Sequence, residues 1–327
     1  MDFDLTDDQR EIKGVARELL SARSPMARVR AAAEAEQYDP ALWAEIVALG
    51  WPGIAVAATH GGQGLGAIEL AMLLEELGYA CAATPFMSTA LAAAAIQAAG
   101  SEAQRERWLP GLASGELTAG LGRPELVADG EGAAVVVLLD GDQAQLIAEP
   151  EAERVVTIDA TRRFARVTGD AEPLGPGATG RVLAGLAAEV VGVCQRALEM
   201  TLAYVKDRKQ FGVPVGSFQA VAHRCAQMLL HTESARSTAY YAAWAAAADP
   251  ERLGEASALA AAAAADGGRE VAASAIQAHG GIGFTWEADV HWLYKRAQLD
   301  AALLGGGGGH RAALARAAAA RVALPAR

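Results

Sequence analysis

Cysteine, basic charge, long apolar runs and nucleotide-loop glycine patterns are all scarce or missing in this chain of 327 residues. Three cysteines, Cys81, Cys194 and Cys225, are odd in number, far apart and set in apolar helical sequence. That pattern argues against a disulfide framework or metal site, predicts buried free thiols, and makes the reducing cytoplasm the expected compartment. With 28 Lys and Arg against 39 Asp and Glu the formal charge is -11, so nucleic acid is not an expected partner. A local basic patch for a single phosphate group stays compatible with that balance. The alanine-rich runs 91–99 and 258–265 are too short to span a bilayer, and the opening Met1-Asp2-Phe3-Asp4 is acidic where a signal peptide is basic, so no membrane association is expected. His60, His223, His231, His279, His291 and His310 lack metal-ligand spacing. No Gly-x-Ser-x-Gly elbow or P-loop is present, and no Gly-x-Gly-x-x-Gly follows a strand, which removes hydrolase, kinase and doubly wound dinucleotide readings.

What is present divides by periodicity into three expected domains, 1–116, 117–178 and 179–327. The first reads as an α-helical bundle. Thr6-x-x-Gln9 and Ser101-x-x-Gln104 are capping boxes that open helices. Between them Pro40 to Leu49 and Gly66 to Tyr79 carry helical spacing, with Leu70, Leu73, Leu74 and Leu77 on one face. The second region is β-rich, with runs Ala134 to Leu139, Gln145 to Ala148, Val155 to Ile158 and Phe164 to Val167 that predict five or six strands. After Pro176 the helical period returns, broken at Phe211 to Ser217, Asp249-Pro250, Gly280 to Gly283 and the pentaglycine Gly305 to Gly309. The fold class is mostly α with a small central β-domain.

Two blocks carry the functional signal: Arg208-Lys209-Gln210-Phe211-Gly212 with Phe218-Gln219 behind it, and Gln277-Ala278-His279-Gly280-Gly281-Ile282-Gly283-Phe284. Together they resemble the C-terminal signature of the flavin-dependent acyl-CoA dehydrogenases, and Leu42-Trp43 to Gly53, His60-Gly61-Gly62-Gln63-Gly64 and Leu74 to Gly78 resemble that family's first helical domain. The resemblance implies an N-terminal α-bundle, a β-domain and a C-terminal four-helix bundle, with FAD as cofactor at a subunit interface. It implies that Arg208 reaches the FAD pyrophosphate, a role suited to a planar guanidinium fork. Phe211 belongs to the same block. Gln219 and Gln277 would hydrogen-bond the phosphate and adenosine portion, and Gly280 and Gly281 would let backbone approach it where a Cβ collides. Read singly, Arg208 is equally a surface ion-pair residue, and the glycines are equally a helix C-cap.

The departures from the family pattern are as informative. Where the family carries a Thr-Glu-Pro-Gly flavin loop, this chain reads Ala119-Gly120-Leu121-Gly122-Arg123-Pro124-Glu125, and no tryptophan lies between Trp108 and Trp244 to supply the family's Trp-Ile-Thr strand. The usual glutamate base falls on Leu304, and the alternative base position on Val182 or Leu183. Glu189 is six or seven residues further along that helix, about 9–10.5 Å at roughly 1.5 Å per residue, and reads as an interhelical ion-pair residue before a base. Asp300, one turn before Leu304, is a weaker candidate still. The pentaglycine replaces a cofactor-contacting Gly-Thr-Ser-like stretch and reads equally as a flexible connector. Trp286, Trp292 and Tyr294, assigned to the penultimate helix, read as core or interface aromatics before a ligand stripe.

The resemblance therefore implies a subunit that lends an FAD half-site, without a catalytic base, to a paralogous acyl-CoA dehydrogenase chain, as an α2β2 assembly acting on bulky acyl-CoA thioesters such as steroid side chains. Electron-transfer flavoprotein is the corresponding acceptor. Two alternatives stay open: a homo-oligomeric dehydrogenase with an unusual base, and a cofactor-free acyl-CoA-binding scaffold of the same fold.

Overall fold

A computed structural model describes residues 4–323. Six helices come first: α1 (Asp7–Arg23), α2 (Met26–Glu34), α3 (Pro40–Ala48), α4 (Ala67–Ala80), α5 (Phe86–Ala99) and α6 (Glu102–Ala113). Both expected capping boxes form. Thr6 Oγ1 accepts from the Gln9 N–H at 3.2 Å while Gln9 Oε1 accepts from the Thr6 N–H at 3.0 Å, and Ser101 with Gln104 repeats the pair before α6. Each box satisfies helix-start donors that otherwise have no partner. The stripe Leu70, Leu73, Leu74 and Leu77 of α4 is buried, as its spacing predicts. Helix α2 has no such signal, because its N-cap is Pro25 and no side chain caps it.

The middle of the chain forms one seven-stranded sheet, where five or six strands were expected: β1 (Ala119–Arg123), β2 (Leu126–Ala128), β3 (Val135–Asp140), β4 (Gln143–Ala148), β5 (Glu151–Val155), β6 (Phe164–Thr168) and β7 (Ala171–Pro173), in the order β5-β6-β2-β1-β3-β4-β7. Only β1 and β3 run parallel. The apolar run of β3 is buried on both faces. Val135, Val137 and Leu139 join the main core, while Val136 and Leu138 pack with Val127, Ile147, Ala165 and Val167 in a second small core. The expected strand Val155 to Ile158 is corrected to Glu151–Val155, and Val156 beyond it is 84% exposed. An edge strand with both faces in water needs no apolar alternation, so Glu-Ala-Glu-Arg pairs with β6 without advertising itself.

Five helices complete the chain: α7 (Ala178–Asp207), α8 (Gln219–Ala248), α9 (Leu253–His279), α10 (Val290–Leu303) and α11 (Gly307–Ala323). The first four pack around one another, and α4 lies across α7 at two glycines. A Cβ on Gly78 would stand 2.1 Å from the Glu189 carbonyl oxygen, and one on Gly192 would stand 1.8 Å from that of Glu75, so backbone meets backbone at this crossing. That contact fixes Glu189 deep between the N-terminal helices and the bundle. The pentaglycine is not a connector throughout. Gly305 and Gly306 form a left-handed turn with φ of +80° and +70°, and Gly307 to Gly309 are the first turn of α11. All three cysteines are buried and free.

Candidate functional site

The two places where a base would stand hold apolar side chains. Leu304 is fully buried at the end of α10, its N–H donating to the Asp300 carbonyl at 2.9 Å and its carbonyl 2.7 Å from Nε2 of His310. Val182 and Leu183, in the second turn of α7, are buried as well. The buried carboxylates on the same two helices are committed elsewhere. Arg162, from the β5–β6 loop, enters between α7 and α10, bonding Asp300 through Nη1 at 2.6 Å and Glu189 through Nη2. Arg296 of α10 bonds Glu189 at 3.2 Å, Asp159 at 2.9 Å and the carbonyl of Ala82 at 3.3 Å. Thr161 closes the ring, its N–H donating to Asp159 at 3.0 Å.

The cluster holds two guanidinium groups and three carboxylates, all buried. Burial, and then the neighbouring Glu189 carboxylate, pushes Asp300 up to about 7, since a third negative charge has no cation of its own here. The second oxygens of Glu189 and Asp300 find no donor among the described residues. The crevice that reaches Asp159, Thr161 and Arg162 measures only about 30 Å³, room for water and not for a thioester. Sequence reasoning named Glu189 and Asp300 but missed Arg162, Arg296 and Asp159. A signal existed: Arg296 and Asp300 lie on the same stripe of α10 as Leu293, Ala297 and Leu304, where solvated charges do not belong.

The cofactor candidates gather at the opposite end of α7. Tyr204, in its last turn, stacks on His279 of α9 with ring centroids 4.5 Å apart, which sets the C-terminal ends of the two helices side by side. Burial lowers the pKa of His279. Beyond Tyr204 the chain turns at Arg208 into a hairpin of β8 (Lys209–Gln210) and β9 (Val213–Pro214). Its two turn residues, Phe211 and Gly212, have φ of +51° and +83°, the left-handed pair of a tight hairpin. The turn holds Phe211 93% exposed, its ring edge-on to Phe218. The Arg208 carbonyl accepts from Val215 at 2.8 Å, and the chain then enters α8 at Gln219.

Arg208, Gln219 and Gln277 are all exposed, and none has a side-chain hydrogen bond or ion pair among the described residues. The surface ion pair weighed for Arg208 is absent among those residues. Gly280 needs glycine for its φ of +65°, whereas a Cβ on Gly281 would meet nothing within 4 Å in this chain. Gly283, quoted in the same block, needs glycine for packing: a Cβ there would stand 2.4 Å from the Ile276 carbonyl oxygen. One placement is corrected: Trp286 precedes α10 and is exposed, so only Trp292 and Tyr294 lie on that helix.

These donors suit the phosphate and sugar portion of a nucleotide cofactor: a free guanidinium, two free amides and approachable glycine backbone. Arg123, at the end of β1, lies against the glycine turn, its Nη2 2.5 Å from where a Cβ of Gly305 would be.

Comparison with known proteins fits this geometry. Residues 6–116 match the acyl-CoA dehydrogenase N-terminal domain and residues 180–319 match the acyl-CoA dehydrogenase C-terminal domain. The chain is 34% identical over 306 residues to the acyl-CoA dehydrogenase IpdE2 of Mycolicibacterium smegmatis, covering 92% of this chain and 96% of that one. Among solved structures it is similar to the ChsE4-ChsE5 complex from Mycobacterium tuberculosis, with a TM-score of 0.87 and 25% identity over the whole of both chains. It is similar also to a variant of the Tcur3481-Tcur3483 steroid ACAD, with a TM-score of 0.86 and 28% identity over 97% of this chain and 99% of that one. The chain belongs to the acyl-CoA dehydrogenase family of oxidoreductases. Among the described residues no helix is long and apolar enough to cross a membrane.

Proposed function

We propose that this chain is the FAD half-site subunit of a hetero-oligomeric acyl-CoA dehydrogenase and holds no catalytic base of its own. One observation carries the reading: the buried carboxylates that share a helix with the base positions, Glu189 and Asp300, are clamped by Arg162 and Arg296, while Arg208, Gln219 and Gln277 stand exposed and unpaired at the far end of α7. An α-proton can be taken only by a basic group within hydrogen-bond reach of it. Arg208 would meet the pyrophosphate, Gln219 and Gln277 the phosphate and adenosine portion, and Gly280 and Gly281 would admit the cofactor's backbone-close approach, with Phe211 covering it. FAD supplies the acceptor for the substrate's hydride, and its ring would be held by the partner chain. The partner is then a paralogous acyl-CoA dehydrogenase subunit in an α2β2 assembly, a reading supported by the two-component names of the similar structures. The word steroid in one of those names supports a bulky acyl-CoA as substrate. Electron-transfer flavoprotein as acceptor and the cytoplasm as compartment belong to the same proposal, as do domain limits at 116 and 178.

The visible absorption spectrum tests this. Flavin bound only when the chain is purified together with its dehydrogenase partner is the expected result. Flavin and turnover in the lone chain would favour a homo-oligomeric enzyme with an unusual base, and flavin in neither preparation a cofactor-free scaffold.

A further inference from the structure

A cavity of about 420 Å³ lies between the last turn of α9, the turn Gly280–Phe284 and the start of α10. Phe284, Trp286 and Tyr294 form its apolar wall, and no carboxylate lines it among the described residues. Its one cation is Lys295, whose Nζ sits 4.2 Å from the Trp286 ring centroid and 4.5 Å from that of Trp292. Lys295 has no carboxylate partner among the described residues. Beside it His291 is 9% exposed, and neither ring nitrogen has a hydrogen-bond partner. Burial, and then the charge of Lys295, pushes His291 down to about 4, so at neutral pH its ring offers one buried N–H that no protein acceptor takes.

We propose that this cavity is a ligand site for a compact aromatic or polycyclic monoanion, with its rings against Trp286 and Phe284 and its carboxylate on Lys295, the buried His291 ring closing the wall beside it. The composition is that of a small-molecule site, mostly aromatic wall with a few convergent polar groups, and its volume lies in the usual range of roughly 300–1,000 Å³. The ammonium already rests on two aromatic faces, so an anion completes its coordination without displacing a salt bridge. Trp286, 70% exposed, supplies a rim that a planar ring can cover. The site borders the proposed flavin half-site, sharing Gln277 with it and resting on the turn that carries Gly280 and Gly281.

Isothermal titration of the full chain with 2-naphthoate and with its neutral isostere 2-naphthamide tests the assignment. The expected result is saturable naphthoate binding with the amide at least about tenfold weaker, since a charge-assisted contact is worth roughly ten- to hundredfold in affinity. Lys295→Met should abolish that discrimination, and Trp286→Ala, a change at an exposed position, should weaken both ligands alike. Equal affinity for acid and amide, or naphthoate binding unchanged in both variants, would overturn the proposal. So would loss of binding when FAD is added, which would assign the cavity to the flavin half-site, or when the dehydrogenase partner is added, which would assign it to the subunit interface.

Discussion

Charge is handled in opposite ways at the middle of α7 and at its C-terminal end. Midway along the helix the buried charges are paired with one another: Arg162 and Arg296 hold Glu189, Asp300 and Asp159 out of water. At its C-terminal end Lys206, Asp207, Arg208 and Lys209 have no ion pair at all among the described residues. Burial explains the first case, because an uncompensated charge inside a protein costs several kcal/mol. Hydration permits the second without requiring it. Charges that no internal partner needs are free for an external one, so the paired set belongs to the fold and, on the function proposed above, the unpaired set to recognition.

The largest expected effect breaks the paired set. Arg296→Met leaves Glu189 and Asp159 without their shared guanidinium and should cost about 3–5 kcal/mol of stability, read from urea unfolding of the full chain. Arg208→Ala in the same assay should stay within about 0.5 kcal/mol. Equal losses at both arginines would dissolve the distinction between the paired and the unpaired set.

The converse holds for cofactor retention. In the assembled complex Arg208→Ala should lower FAD affinity about ten- to hundredfold, with the mass of the complex unchanged on gel filtration. Arg208→Lys should restore only part, because an ammonium brings the charge without the fork. Full flavin occupancy in both variants at limiting FAD would remove Arg208 from the half-site.

Much of this contrast was open to reading from sequence, and the remainder was not for a definite reason. Capping boxes and helical stripes are local patterns, so α1, α4 and α6 could be placed from residues three or four apart. The exposed end was legible because its two blocks are contiguous in the chain. Glu189 could be weighed as an ion-pair residue, yet its partner Arg162 comes from a loop of the β-domain and Arg296 from a helix far along the chain, and nothing local names either. Edge strand β5 and helix α2 escaped for the same reason: what holds them is pairing and packing by distant segments, not their own composition.

A smaller effect tests the electrostatics of the paired set. Asp300 ionises near 7 in the folded chain and near 3.9 unfolded, so between about pH 4 and 7 the native state binds more protons and stability from this group falls as pH rises. The contribution is fully present below the unfolded value and lost as pH passes the folded one. The stability of Asp300→Asn relative to the parent should therefore rise with pH across that window and level off above it. A difference flat with pH would mean that Asp300 stays ionised and that the two guanidinium groups compensate three charges.

The smallest effect on the fold, and the sharpest on the comparison, concerns two glycines of one turn. A methyl group on Gly283 runs into the Ile276 carbonyl oxygen, so Gly283→Ala should cost about 1–3 kcal/mol of stability in the lone chain. Gly281 has an ordinary φ and open space around its missing Cβ, so Gly281→Ala should change the lone chain's stability by less than about 0.5 kcal/mol. Within this chain nothing requires glycine at that position. If cofactor and partner come within van der Waals distance of it, the same methyl group should lower flavin retention in the assembled complex while leaving the isolated chain untouched. Unfolding curves of the two variants, set beside their flavin content after gel filtration, separate the possibilities. A Gly281→Ala complex with full flavin would place the cofactor's approach elsewhere on this end of the bundle, with Arg208 and the two free amides as its remaining contacts.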